Sequence, residues 1–189
     1  MKKVVFLCVV VVFVFVGVMF GNTKSGVEKA IKGEDVVWTD VNQFISTNPL
    51  ALAFSQLNAH YEFNLSKGSG LGFNAGLIFW GFGDWSTFGL LLGAEYNFYF
   101  QNHAPNGWFV GPGAGITYLN VKYQSDSAST MGFNINGHGG YRWIWDNGFL
   151  VDVQLGIQYI IINISINNTT IPFGGLAPYV GASIGYAWK

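Results

Sequence analysis

From about residue 50 onward the chain alternates with a period of two, and its two faces differ in kind. Leu57, Ala59, Tyr61, Phe63 and Leu65 alternate with Asn58, His60, Glu62 and Asn64. Phe88, Leu90, Leu92, Ala94, Tyr96 and Phe98 alternate with Thr87, Gly89, Gly93, Glu95 and Asn97. The same beat runs through 71–79, 108–118, 133–143, 149–159 and 180–188. One face is bulky and apolar; the other is Gly with Asn, Gln, Glu and His. A water-soluble barrel needs the reverse, an apolar interior under a charged exterior. That exterior is what this sequence lacks. Only 10% of its residues are Asp, Glu, Lys or Arg, where a soluble domain carries about a quarter. The pattern suits a barrel with lipid outside and a polar lumen.

The N-terminus points to export. Lys2 and Lys3 precede an apolar run from Val4 to Phe20, and Gly21 then precedes polar Asn22 and Thr23. This reads as a signal peptide over 1–21, followed by a polar segment over 22–34 and a barrel over 35–189. Cys8, the single cysteine, falls in the signal, so the exported chain would have no disulfide. Nine basic residues less Lys2 and Lys3 leave seven against ten acidic, a net charge of −3. No basic face is present for nucleic acid. Past the signal no apolar run approaches the roughly 20 residues of a membrane-spanning helix. A closed β-barrel is the remaining way to satisfy every backbone polar group in hydrocarbon.

Seven strands are clear, and single-chain outer-membrane barrels have even counts. Short links stand at 66–70, 101–107 and 146–148; links at 81–86, 124–130 and 163–175 are longer or more polar. Short turns belong to the periplasmic side and long loops to the outside. On that rule the strand at 50–65 descends, and an earlier one must rise at about 35–46. The expected fold is all-β: an eight-stranded, antiparallel, up-and-down transmembrane barrel.

The stretch "GYRWIWDNGFLVDV" tests the register. A two-residue Asn147–Gly148 turn would set Arg142 opposite Val153 and join opposing faces. A three-residue turn, Asp146–Asn147–Gly148, sets Trp143 against Val151, Tyr141 against Val153 and Arg142 against Asp152. Side-chain period is two, so only the second keeps both faces consistent. Gly148 supplies the left-handed residue such a turn wants. Similar counting sets Glu62 opposite Asn74 and Glu95 opposite Gly113. Arg142, Asp152, Glu62, Glu95, His60 and His138 are thus expected to form one lumen network, since an unpaired ion there would be costly.

Other features read as structural. His60, His138 and Glu62 are metal-ligand types, but no HExxH helix or Cys/His cluster frames them, so they read as satisfied lumen groups with no metal and no cofactor. "GPGAG" at 111–115 lacks the Lys and Ser/Thr of a phosphate loop and lies mid-strand, where glycine makes space. "NNTT" at 167–170 carries glycosylation sequons that a bacterial chain would not use. Trp80, Trp85, Trp108, Trp143, Trp145, Tyr186 and Trp188 lie near strand ends and are expected to form aromatic girdles.

With "NPLALAF", "HYEFNL", "FYF…APNGWFVGPGAG", "GYRWIWDNGF" and "IGYAWK", residues 48–189 resemble a broad group of small bacterial outer-membrane β-barrel proteins. The terminal aromatic usual in such barrels is here penultimate, Trp188 before Lys189. The resemblance implies residence in the outer membrane after export through the inner membrane. Membrane lipids and the export and barrel-assembly machinery would be the partners, and the protein would be a monomer. Eight strands leave a lumen that side chains nearly fill, which disfavours a porin-like channel, although its glycines leave room for a narrow solute path. A structural, surface or small-ligand-binding role without catalysis is expected. The alternatives are a lipid-modifying enzyme, whose deacylase His-x-Ser-Asn pattern is absent, and a secreted soluble ligand-binding barrel.

Overall fold

In a computed structural model, residues 41–100, 104–124, 126–166 and 169–189 are described. The expected signal peptide, the polar segment 22–34 and most of the expected first strand lie outside them. Eight antiparallel strands close a barrel in sequence order: β1 (Gln43–Thr47), β2 (Gln56–Ser66), β3 (Ser69–Phe82), β4 (Trp85–Tyr99), β5 (Gly107–Tyr123), β6 (Asp126–Ile144), β7 (Phe149–Ile166) and β8 (Thr169–Trp188). The seam joins β1 to β8, from Gln43↔Trp188 to Thr47↔Ile184. The strand inferred from parity is therefore present. Its described part has five residues and reaches one position beyond the expected end.

The strand expected from residue 50 begins at Gln56. Before it, Pro49–Phe54 form a 3-10 turn. Its causes are local. Pro49 fixes the first φ, the Asn48 side chain accepts a hydrogen bond from Leu50 N at 3.0 Å, and Ser55 ends the turn in the left-handed region at φ 56°.

Register largely follows the alternation. The β6–β7 turn sets Arg142↔Asp152, Trp143↔Val151 and Tyr141↔Val153, with Trp145 N donating to Phe149 O at 2.9 Å and Gly148 at φ 82°. Glu95 stands opposite Gly113. The β2–β3 hairpin departs from expectation: Glu62 meets Gly72 and His60 meets Asn74. Its connection is shorter than the five-residue link assumed, and a bulge between Asn64 and Ser66 absorbs the odd residue. Face parity survives, because the shift is by two.

Loop length was a poorer guide. The polar links at 81–86, 124–130 and 163–175 are largely strand, and β3 and β4 are joined by Gly83 and Asp84 alone. Ser, Thr and Asn there are strand residues near the rim. The strands lengthen round the barrel, from 5 residues in β1 and 11 in β2 to 19 in β6 and 20 in β8. The wall is low at β1 and tall from β5 to β8. Among the described residues, no strand pairs with β8 on its β1 side beyond Ile184.

Candidate functional site

Inward side chains divide the lumen into a filled floor and a hollow cup. The floor lies at the end of the β2–β3, β4–β5 and β6–β7 turns. Its largest buried side chains are Arg142, Phe44, Phe109, Leu150 and Glu62. Arg142 on β6 is 1% exposed. Its Nε donates to Asp152 Oδ2 at 3.2 Å and its Nη1 lies 3.4 Å from Glu62 Oε2. Nη1 also donates to the Tyr99 hydroxyl, which in turn donates to Glu62 Oε1. The guanidinium carbon sits 4.0 Å from the Phe44 ring centre and 4.8 Å from that of Phe109. The ion is thus held between aromatic faces as well as by carboxylates.

A second layer lies above it. Asn97 Nδ2 donates to Glu62 Oε2 at 2.8 Å and to Glu95 Oε1 at 3.0 Å. An ionised carboxylate only accepts, so this fixes the amide, and Asn97 Oδ1 accepts from His138 Nε2 at 3.0 Å. Asn74 Nδ2 donates to Glu95 Oε2 at 3.0 Å. Its Oδ1 therefore faces His60 Nδ1, 2.8 Å away, and that nitrogen donates. The other nitrogen, His60 Nε2, lies 3.5 Å from Glu62 Oε2 and 3.7 Å from Glu95 Oε1. It has no hydrogen-bond partner among the described residues.

All six residues expected in the lumen network are brought together, although the expectation that both histidines are satisfied does not hold for His60. Sequence reading missed their partners. Tyr99 and Phe109 share the inward parity of Glu95 and Gly111, but parity alone does not show that they reach Arg142. Asn74 and Asn97 were seen as inward without a role. Pro105, whose carbonyl lies 3.5 Å from Arg142 Nη1, comes from a connection that strand periodicity does not describe.

The expected girdle divides. Trp108, Trp143, Trp145, Tyr186 and Trp188 lie on outward positions at the floor end. Ring contacts link Trp108 to Tyr141 at 5.1 Å, Tyr141 to Trp143 at 4.7 Å and Tyr186 to Trp188 at 6.4 Å. Trp80 and Trp85 do not join an outward ring. Register pairs Trp80 with Thr87 and Trp85 with Phe82, the parity of Glu95 and Gly72. They stand on the lumen side of the rim, because position along a strand does not set its face; residue parity does.

Above the floor is a cavity of about 640 Å³. His60, Glu95, Arg142 and Asp152 line its base; Asn134, Gln154 and Gln158 line its wall; Ile78, Leu119 and Ile162 lie toward the rim. Leu50 and Ala51 of the 3-10 turn close it beside β1.

A closed antiparallel barrel with an apolar exterior and an ionic network inside is a transmembrane-type β-barrel. The chain belongs to DUF3575, a family of proteins of unknown function whose model matches residues 12–167. No curated protein matches it. Among solved structures it is similar to the Yersinia pestis outer membrane protein Ail in a phospholipid bilayer nanodisc. There the identity is 12% and the TM-score 0.43, over 79% of this chain and 100% of that one. It is also similar to the β domain of the Bordetella autotransporter BrkA, with 13% identity and a TM-score of 0.31, over 70% of this chain and 71% of that one. Likeness at this level says nothing of this chain's role.

Proposed function

We propose that the protein is a monomeric outer-membrane barrel, exported and then inserted, that holds a small amphipathic molecule in its cup and neither conducts nor catalyses. The observation that carries this reading is the cavity of about 640 Å³ ending on a floor where Arg142 is buried. Small-molecule sites are commonly 300–1,000 Å³, mostly apolar with a few convergent polar groups. A polar base beneath isoleucines and leucines suits a ligand with a polar head and an apolar body. Access is suggested on the low side of the wall, where the 3-10 turn exposes Leu52 and Phe54 and β8 exposes Leu176 and Val180.

Several observations support residence in the membrane. Seven strands have 11 to 20 residues, and about 9–11 suffice to cross. Outward Phe73, Leu77, Leu92, Ile135, Leu155 and Ile157 are exposed, and such a surface would not stay dispersed in water. This speaks against a secreted soluble barrel. Against a lipid-modifying enzyme, the partnered nitrogens of His60 and His138 face Asn side chains and not a serine hydroxyl.

Two measurements test the reading. In planar bilayers the refolded barrel is expected to give no conductance steps; regular steps would overturn the closed floor. The fluorescent amine N-phenyl-1-naphthylamine is expected to bind saturably, and Thr117→Trp, which fills the cup, to abolish that binding. Saturable binding unchanged by Thr117→Trp would place the probe elsewhere and remove the cup as its site.

A further inference from the structure

The base of the cup has an excess of negative charge. Glu62, Glu95 and Asp152 are all buried, and Arg142 is the one guanidinium among them. Asp152 pairs with Arg142 Nε. Glu62 also touches Arg142, but the set still carries two more negative charges than positive. Desolvated charge of that size needs a counter-ion. Two histidines face it: His138 Nε2 lies 3.8 Å from Glu95 Oε1 but donates to Asn97 Oδ1, whereas His60 has its Nδ1 donating to Asn74 Oδ1. In the neutral ring this leaves Nε2 with a lone pair, directed at two carboxylate oxygens that also carry lone pairs. Nε2 is out of contact with solvent and without a hydrogen-bond partner among the described residues. Three acceptors converging on one buried point repel one another unless something positive lies between them.

We propose that His60 Nε2, Glu62 Oε2 and Glu95 Oε1 bind a divalent transition-metal ion such as Zn²⁺. His60, Glu62 and Glu95 each offer one ligand atom within 4.8 Å of the others, and the His60 Nε2 distances to Glu62 Oε2 and Glu95 Oε1 are 3.5 and 3.7 Å. Ligands held about 2.0–2.2 Å from a tetrahedral zinc stand roughly 3.3–3.6 Å apart; the two His60 distances are already close to this, and the carboxylates, which lie within 4.8 Å of each other, would draw together on the ion. One imidazole with two carboxylates suits Zn²⁺, Mn²⁺ or Fe²⁺ better than Ca²⁺ or Mg²⁺, which take oxygen ligands. The surroundings are those of a supported metal ligand. Asn74 fixes the tautomer and ring plane of His60, and Asn97 holds both carboxylates through one amide. His138 serves that amide: its Nε2 is committed to Asn97 Oδ1, which leaves it a positioning residue. His60 and Glu95 also line the cavity, so a fourth coordination position would open toward the cup. The site does not depend on the proposed ligand-binding role.

Co²⁺ is a spectroscopic probe for such a site. The full barrel, refolded in detergent and treated with chelator, is expected to take up one Co²⁺ per chain, with the intense visible bands of a four-coordinate ion, and to release it to excess Zn²⁺. His60→Gln and Glu95→Gln should each weaken uptake at least ~100-fold, and Asn74→Ala, which removes only the orienting amide, by about 10–100-fold. Each variant's folding is checked by its gel mobility before and after boiling. The wild-type titration decides alone if a variant does not fold. No stoichiometric uptake by the wild type would overturn the site, and would mean that His60 meets the carboxylates as an imidazolium. Uptake by folded His60→Gln equal to wild type would also overturn it.

Discussion

At the level of Phe44, Glu62, Tyr99, Phe109, Arg142 and Leu150 the barrel is filled; at the level of Asn58, Gly76, Gly93, Thr117 and Gln158 it is hollow. The same eight strands supply both levels. The difference comes from what each inward position carries and from how its neighbour makes room. In the floor, a glycine commonly stands beside a large polar side chain. Gly72 is one: a Cβ there would lie 2.5 Å from His60 Cε1 and 2.9 Å from Glu95 Cγ. In the cup, the small residues Gly76, Gly93 and Thr117 line the cavity. Inward glycine therefore fits more tightly below, against His60 and Glu95 at Gly72, than at Gly76 and Gly93 above, where the nearest atom to a Cβ would be 3.1 and 3.2 Å away. An identical substitution should have unlike effects at each.

The largest effect is expected at the centre of the floor. Arg142→Met leaves Glu62 and Asp152 buried without their cation and should cost about 3–5 kcal/mol, read as a lower guanidinium midpoint in detergent. An unchanged midpoint would mean that the floor is no tighter than the cup. Next comes the turn beneath it. Gly148→Ala forces a side chain into φ 82°, where its Cβ would fall 2.8 Å from Tyr186 Cε2. A loss of about 1 kcal/mol or more follows, measured the same way. A smaller change is expected in the cup. Gln158→Leu alters a wall residue facing open space and should move stability by less than about 0.5 kcal/mol, while tightening binding of N-phenyl-1-naphthylamine. A Gln158→Leu loss as large as that of Arg142→Met would erase the distinction between the levels.

Much of this was legible in the sequence, for a definite reason. Period-two alternation fixes which residues share a face, and a turn of known length then fixes who meets whom. Hence Arg142↔Asp152 and Glu95↔Gly113 follow from counting. Glu62 was matched to Asn74 and not Gly72 because a bulge after Asn64 is invisible in composition. The 3-10 turn at Pro49–Phe54 was overlooked because its residues are as apolar as a strand, although Asn48 and Pro49 carried the signal. Trp80 and Trp85 stand near strand ends, where aromatic residues suggest a girdle, but their parity turns them to the lumen side. The links among Glu62, Asn97, Tyr99 and Arg142 span the lumen between strands far apart in sequence, and no pairing rule for adjacent strands reaches across a barrel.

The graded strand lengths have one more consequence. In a bilayer of even thickness, the tall wall of β5 to β8 and the low wall of β1 and β2 cannot both end at the same depth. The protein then has a front and a back within the plane of the membrane. A lipid tail diffusing up to the back would meet continuous hydrogen-bonded sheet. Among the described residues, one arriving at the front would meet a single 3-10 turn, with Leu50 on the cavity and Phe54 three-quarters exposed, as the step between it and the interior.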